Sequence, residues 1–142
     1  MKKLLFLGLT VALVLGAMPA LASSAVLASD PAMVEIDVKP YSCPSSINLN
    51  SRGVVPVMVY TTDDFDANTI DPETVVFAGA EPVRWTPEDI WGDGYVDLLL
   101  FFKTQDLNLT ESSTEATLTG ETYGGQPIEG TGSVNIVPKG KK

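Results

Sequence analysis

The sequence predicts an all-β domain, an Ig-like or Greek-key β-sandwich of about seven short strands preceded by a cleavable signal helix. Three observations predict it. Apolar and polar residues alternate in short runs, as in Val34, Ile36 and Val38 or Ala116 and Leu118. Gly, Pro, Asn and Asp clusters interrupt the chain roughly every 8–12 residues, the turn spacing of a sandwich. After the N-terminal leader, no stretch has the 3.6-residue apolar period of an amphipathic helix.

The leader is residues 1–22. Lys2 and Lys3 open it, Leu4 to Gly16 is apolar, and Ala20-Leu21-Ala22 has the small-x-small form of a cleavage site. The apolar core is short for a bilayer span and Pro19 interrupts it, so the pattern predicts a secreted protein with no membrane span after cleavage. The expected place is extracellular, periplasmic or cell-surface associated. Residues 23–33 read as a flexible lead-in, 34–138 as the sandwich domain and 139–142 as a basic tail.

Val34 to Val38 is a half-buried strand stopped by Pro40. Ile47 and Leu49 make a short one. Val54 to Thr61 is strong, and Pro56, lacking an amide proton, predicts an edge position or a bulge there. Thr62 to Pro72 reads as a long turn anchored by Phe65 and Ile70. Thr74 to Ala78 is strand-like, and Val83 to Trp85 pairs briefly. Tyr95 to Phe102 is too continuously apolar for an edge and predicts the central strand. Ala116 to Thr122 alternates, Gly124-Gly125 signals a hairpin turn, and Ser133 to Val137 is the last strand. No internal repeat suggests a propeller or solenoid.

Eighteen acidic residues oppose nine basic ones, and loss of Lys2 and Lys3 with the leader takes the net charge from −9 to −11. Such a chain repels nucleic acid, which is not an expected partner. An unknown protein or glycan is. The absence of histidine removes the usual general base and zinc ligand together. Cys43, the only cysteine, cannot form an internal disulfide. A buried thiol is the expected reading, ahead of an accidental free thiol or half of an intermolecular bridge. Asn108-Leu109-Thr110 fits the N-glycosylation pattern, a common chance match.

Several segments in order resemble a module of exported bacterial and archaeal surface proteins that opens with an "IDIKPGS…IN" segment. They are Ile36-Asp37-Val38-Lys39-Pro40, Ile47-Asn48-Leu49, Gly53-Val54-Val55-Pro56-Val57, Ile70-Asp71-Pro72-Glu73 and Gly94-Tyr95-Val96-Asp97-Leu98. The resemblance spans about Val34 to Val137. It implies an extracellular β-sandwich with no assigned reaction, and an acidic turn of the form Asp-x-Asn/Asp-Gly-Asp-Gly-x-x-Asp before the central strand. The matching positions are Asp89, Gly92, Asp93, Gly94 and Asp97. Trp91 stands where a third oxygen ligand is expected, and Tyr41 replaces a glycine.

That acidic turn is the candidate calcium site. In an EF-hand-like register Asp89, Asp93 and Asp97 supply carboxylates, the Tyr95 carbonyl supplies an oxygen, and Gly94 allows the sharp bend. Trp91 and Leu100 occupy two other ligand positions, so water, Glu88 or the Asp63-Asp64-Asp66 turn would complete the shell. An ordinary acidic turn with solvated carboxylates is the simpler rival, because the loop has the glycine but not the full oxygen set. Trp85, Trp91 and Tyr95 form a candidate aromatic patch: exposed together they suit a sugar ring or an apolar partner, and buried they merely close one end of the core. The expected role is therefore a non-catalytic structural or binding unit. The alternatives are a carbohydrate-binding or adhesion module and, further behind, a carboxylate-based hydrolase.

Overall fold

The computed structural model describes residues 29–138. The expected signal helix, most of the lead-in and the basic tail lie outside them. The strands are β1 (Ala32–Met33), β2 (Ile36–Val38), β3 (Ser46–Ile47), β4 (Val54–Val59), β5 (Ile70–Phe77), β6 (Pro82–Glu88), β7 (Asp97–Lys103), β8 (Glu115–Thr122), β9 (Pro127–Ser133) and β10 (Asn135–Ile136). One sheet has the order β1-β9-β8-β5 and the other β2-β4-β7-β6, while β3 and β10 form a small parallel pair. Pairing in the two large sheets is antiparallel except between β1 and β9.

The two sheets enclose a single core, as the alternating sequence requires. Val57, Val59, Leu98, Leu100 and Phe102 of one sheet meet Val75, Phe77, Leu118 and Ile128 of the other. The Phe77 and Phe102 rings lie 5.2 Å apart, tilted at 46°, and lock the layers together. The fold is an all-β sandwich, and the pairing of β4 with β7 and of β5 with β8 gives it crossed, Greek-key connectivity.

Strand β7 is the interior strand that its apolar run predicts. Leu98, Leu100 and Phe102 face the core, while Leu99, on the opposite face, is buried beside its register partner Met58. Burial on both faces is why this segment shows no alternation.

Five expectations change. Strand β4 is not an edge; it pairs with both β2 and β7. Pro56 is tolerated because it stands opposite Lys39, just past the end of β2, where its carbonyl accepts from the Lys39 N–H at 2.7 Å. Its missing N–H strands no acceptor, because Lys39, at φ 54°, turns its carbonyl to the Ser42 N–H at 3.0 Å instead. The brief pairing expected at Val83 to Trp85 is a full seven-residue edge strand, β6, with an irregularity between Pro82 and Arg84. Residues 127–132, given no element between the Gly124-Gly125 turn and the last strand, form β9 together with Ser133. Ala32 and Met33, assigned to the lead-in, form β1 against Ile128 and Glu129. Finally, Cys43 is exposed, not buried.

Candidate functional site

The β6–β7 loop, residues 89–96, is built by its own carboxylates. Asp89 accepts from two backbone amides, Asp93 N–H at Oδ1 (3.2 Å) and Gly94 N–H at Oδ2 (3.1 Å). Asp93 Oδ1 accepts from Tyr95 N–H at 2.9 Å. Gly92 and Gly94 have φ of 64° and 89°, in the left-handed region that only glycine enters freely. The turn thus points its amides inward at Asp89 and leaves residues 91–96 exposed.

Neighbouring loops hold it in place. The Tyr95 hydroxyl donates to Asp63 Oδ1 at 2.6 Å, and that bond raises the phenol pKa. The Val96 carbonyl accepts from Thr61 Oγ1 (2.6 Å) and Asn68 Nδ2 (2.7 Å). The β6–β7 and β4–β5 loops therefore form one hydrogen-bonded end of the sandwich.

Asp97 follows a different geometry from Asp89 and Asp93. It begins β7, is only 2% exposed, and its Oδ1 accepts from Thr61 N–H at 2.9 Å. Burial raises its pKa above the ordinary carboxylate value, the Thr61 bond opposes that, and the charges of Asp93 and Asp89 raise it further. Continuing the strand registers by one residue places Glu35, Tyr60, Asp97 and Glu88 in one row across the outer face of this sheet. Tyr60 donates to Asp37 Oδ2 at 3.2 Å, and its pKa is pushed up to about 12, first by burial and then by Asp37.

The proposed calcium ligands are therefore near one another without converging. Among the described residues no group of three or more acidic or cysteine side chains is placed to hold a metal ion. Both oxygens of Asp89 and one of Asp97 face backbone amides. The aromatic candidates are all exposed: Trp91 at 72%, Tyr95 at 44% and Trp85 at 41%. Trp91 and Tyr95 share the loop, whereas Trp85 lies back along β6, opposite Leu100. None of the three lines the surface concavities found at β1, β2, β3 and the β5–β6 turn. Sequence reasoning missed the supporting residues Thr61, read as the end of a strand, and Asn68, whose only signal was its place in a polar turn.

Among the described residues no helix is long and apolar enough to cross a membrane. No family model, curated protein or solved structure matches the chain.

Proposed function

We propose that this chain is a non-catalytic binding or structural module, secreted or held at the cell surface, whose contact surface is the β6–β7 loop. The observation that carries the reading is Trp91. It is 72% exposed on a loop whose backbone is already fixed by carboxylate–amide hydrogen bonds. A large indole kept in water is a cost that a binding surface recovers, and a fixed loop loses little entropy when it docks. The leader pattern supports export, and the resemblance to exported surface modules agrees with it. Trp91 lines none of the concavities described above, so the loop suits a flat apolar contact on a protein or glycan better than a deep sugar cleft.

The test is retention on insoluble polysaccharides and on immobilised cell-envelope protein. The parent chain is retained on one of these supports, and Trp91→Ala loses retention while keeping the parent melting temperature. Equal retention of parent and variant refutes the reading.

Calcium stabilisation of the same turn is a second reading. It is favoured by the charges of Asp93 and Asp89, which add to the larger effect of burial in raising the pKa of Asp97. A cation would relieve that repulsion and stabilise the fold by mass action. Thermal unfolding with calcium and then with chelator reads it: calcium raises the midpoint of the parent but not of Asp93→Ala. Superimposed curves for the parent rule it out.

A further inference from the structure

Strand β6 is the last of its sheet, and no described strand pairs with it on the side away from β7. The other end of the same sheet is closed. There β9 flanks β2: the Val34 N–H donates to the Glu129 carbonyl, and Gly130 lies close against Val34 and Ile36.

The direction of each β6 backbone group follows from the ladder. The Pro56 carbonyl accepts from the Lys39 N–H, so Pro56 turns toward β2 and its neighbours Val55 and Val57 turn toward β7. Their β7 partners Phe102 and Leu100 spend their backbone groups on β4. Leu99 and Phe101 therefore spend theirs on Thr86 and Arg84. Trp85 and Pro87 alternate with these, and in the plane of the sheet their backbone groups point away from β7. That is where an edge strand tolerates proline. The Trp85 N–H is left without a backbone acceptor among the described residues. The side chains of this edge are of two kinds. Exposed Trp85 and Pro87 share the face that bears Leu100 and Leu98, and Arg84, Thr86 and Glu88 line the outer face. Arg84 lies over the Phe101 ring at 3.8 Å and Glu88 stands opposite Asp97, so neither has an opposite charge as its neighbour across the ladder.

We propose that β6 pairs with β6 of a second copy of this chain, antiparallel about a two-fold axis through Thr86. The order Arg, Thr, Glu at alternate positions is self-complementary under that axis. Arg84 stands directly opposite Glu88 of the second copy, twice over, and Thr86 stands opposite its own equivalent. On the other face each Trp85 indole packs against Pro87 of the second copy, and each Trp85 N–H donates to that proline's carbonyl. Neighbouring registers are worse. With Trp85 opposite Trp85, Arg84 faces threonine; with Pro87 opposite Pro87, the central pair has no N–H to donate. Both copies use β6, and β9 flanks the far edge, so the assembly closes at two chains. The contact does not involve Trp91, and its failure is separable from that of the loop reading.

Sedimentation equilibrium of the full chain over a range of concentrations tests the proposal. The parent forms a dimer and nothing larger. Arg84→Glu sets two carboxylates against each other in each pair, and Glu88→Arg sets two cations. Each variant dissociates about tenfold more readily than the parent. An equimolar mixture of the two variants restores both ion pairs and returns to within about twofold of the parent. Trp91→Ala leaves the dimer unchanged. One measurement needs no variant: the Trp85 amide exchanges its hydrogen more slowly as the parent concentration rises. A parent that stays monomeric overturns the proposal, as does a mixture that associates no better than its components. Loss of the dimer in Trp91→Ala also overturns it, because the contact then belongs to the β6–β7 loop.

Discussion

Asp97 is an ionisable group from which the fold has removed nearly all water. The Thr61 amide compensates only partly, and Asp89 and Asp93 add repulsion. Because its folded pKa lies above its unfolded value, the ionised form costs stability at neutral pH. That cost is relieved as the pH falls through the folded pKa and is gone below the unfolded one. Asp97→Asn keeps an acceptor for Thr61 and removes the charge. The variant is expected to melt at or above the parent at pH 7, with the difference closing near pH 4. A variant that melts well below the parent at pH 7 would show that the charge itself is stabilising. The sequence marked Asp97 as a site residue but grouped it with Asp89 and Asp93 by spacing. It could not show that strand alternation at the start of β7 sends this carboxylate onto the sheet while the other two fold back on the loop.

At the scale of elements, β9 explains how the fold escaped part of the sequence reading. Its inward positions are Ile128, Gly130 and Gly132, continued by Val134, so the period of two is present with two side chains missing. The missing volume is needed. A Cβ on Gly130 would stand 2.7 Å from the Val34 carbonyl oxygen and 2.9 Å from Ile36 Cγ2. The chain crosses from β1 in one sheet to β2 in the other through this gap. Gly130→Ala is therefore expected to cost about 1–3 kcal/mol by overpacking against backbone that cannot move aside. Gly124→Ala, whose Cβ would meet nothing nearer than Thr122 Oγ1 at 3.7 Å, serves as the control. Urea unfolding of the two variants measures both. Strand β6 was underestimated for a related reason: its two prolines, Pro82 and Pro87, and the irregularity after Pro82 hide a regular pairing with β7. By contrast β8 was legible because its alternation and its burial coincide, and β4 and β7 because their continuous apolar runs match interior strands.

Across the whole molecule, charge is distributed along the strands. The end formed by the β4–β5 and β6–β7 loops carries Asp63, Asp64, Asp66, Asp89 and Asp93, with Asp97 just inside. The described cations Lys39, Arg52, Arg84 and Lys103 lie toward the opposite end, Lys39 beside Pro56, Arg84 over Phe101 and Lys103 opposite Val54. Composition gave the net charge, but polarity arises only when the registers place the acidic loops together. The same end displays Trp91, Tyr95 and Met33, so the exposed apolar surface and the acidic surface coincide. An apolar patch rimmed with charge of one sign is the general form of a selective contact surface.

A preformed contact surface requires the β6–β7 loop to be fixed before anything binds it. Hydrogen exchange of the backbone amides measures this directly, in the parent and in Asp89→Ala. Protected Asp93 and Gly94 amides in the parent, becoming as fast as in an unstructured peptide in the variant while β7 stays protected, are the predicted result. Unprotected Asp93 and Gly94 amides in the parent, beside a protected β7, would contradict it: Trp91 would then sit on a mobile loop, and the case for a preformed contact surface would be lost.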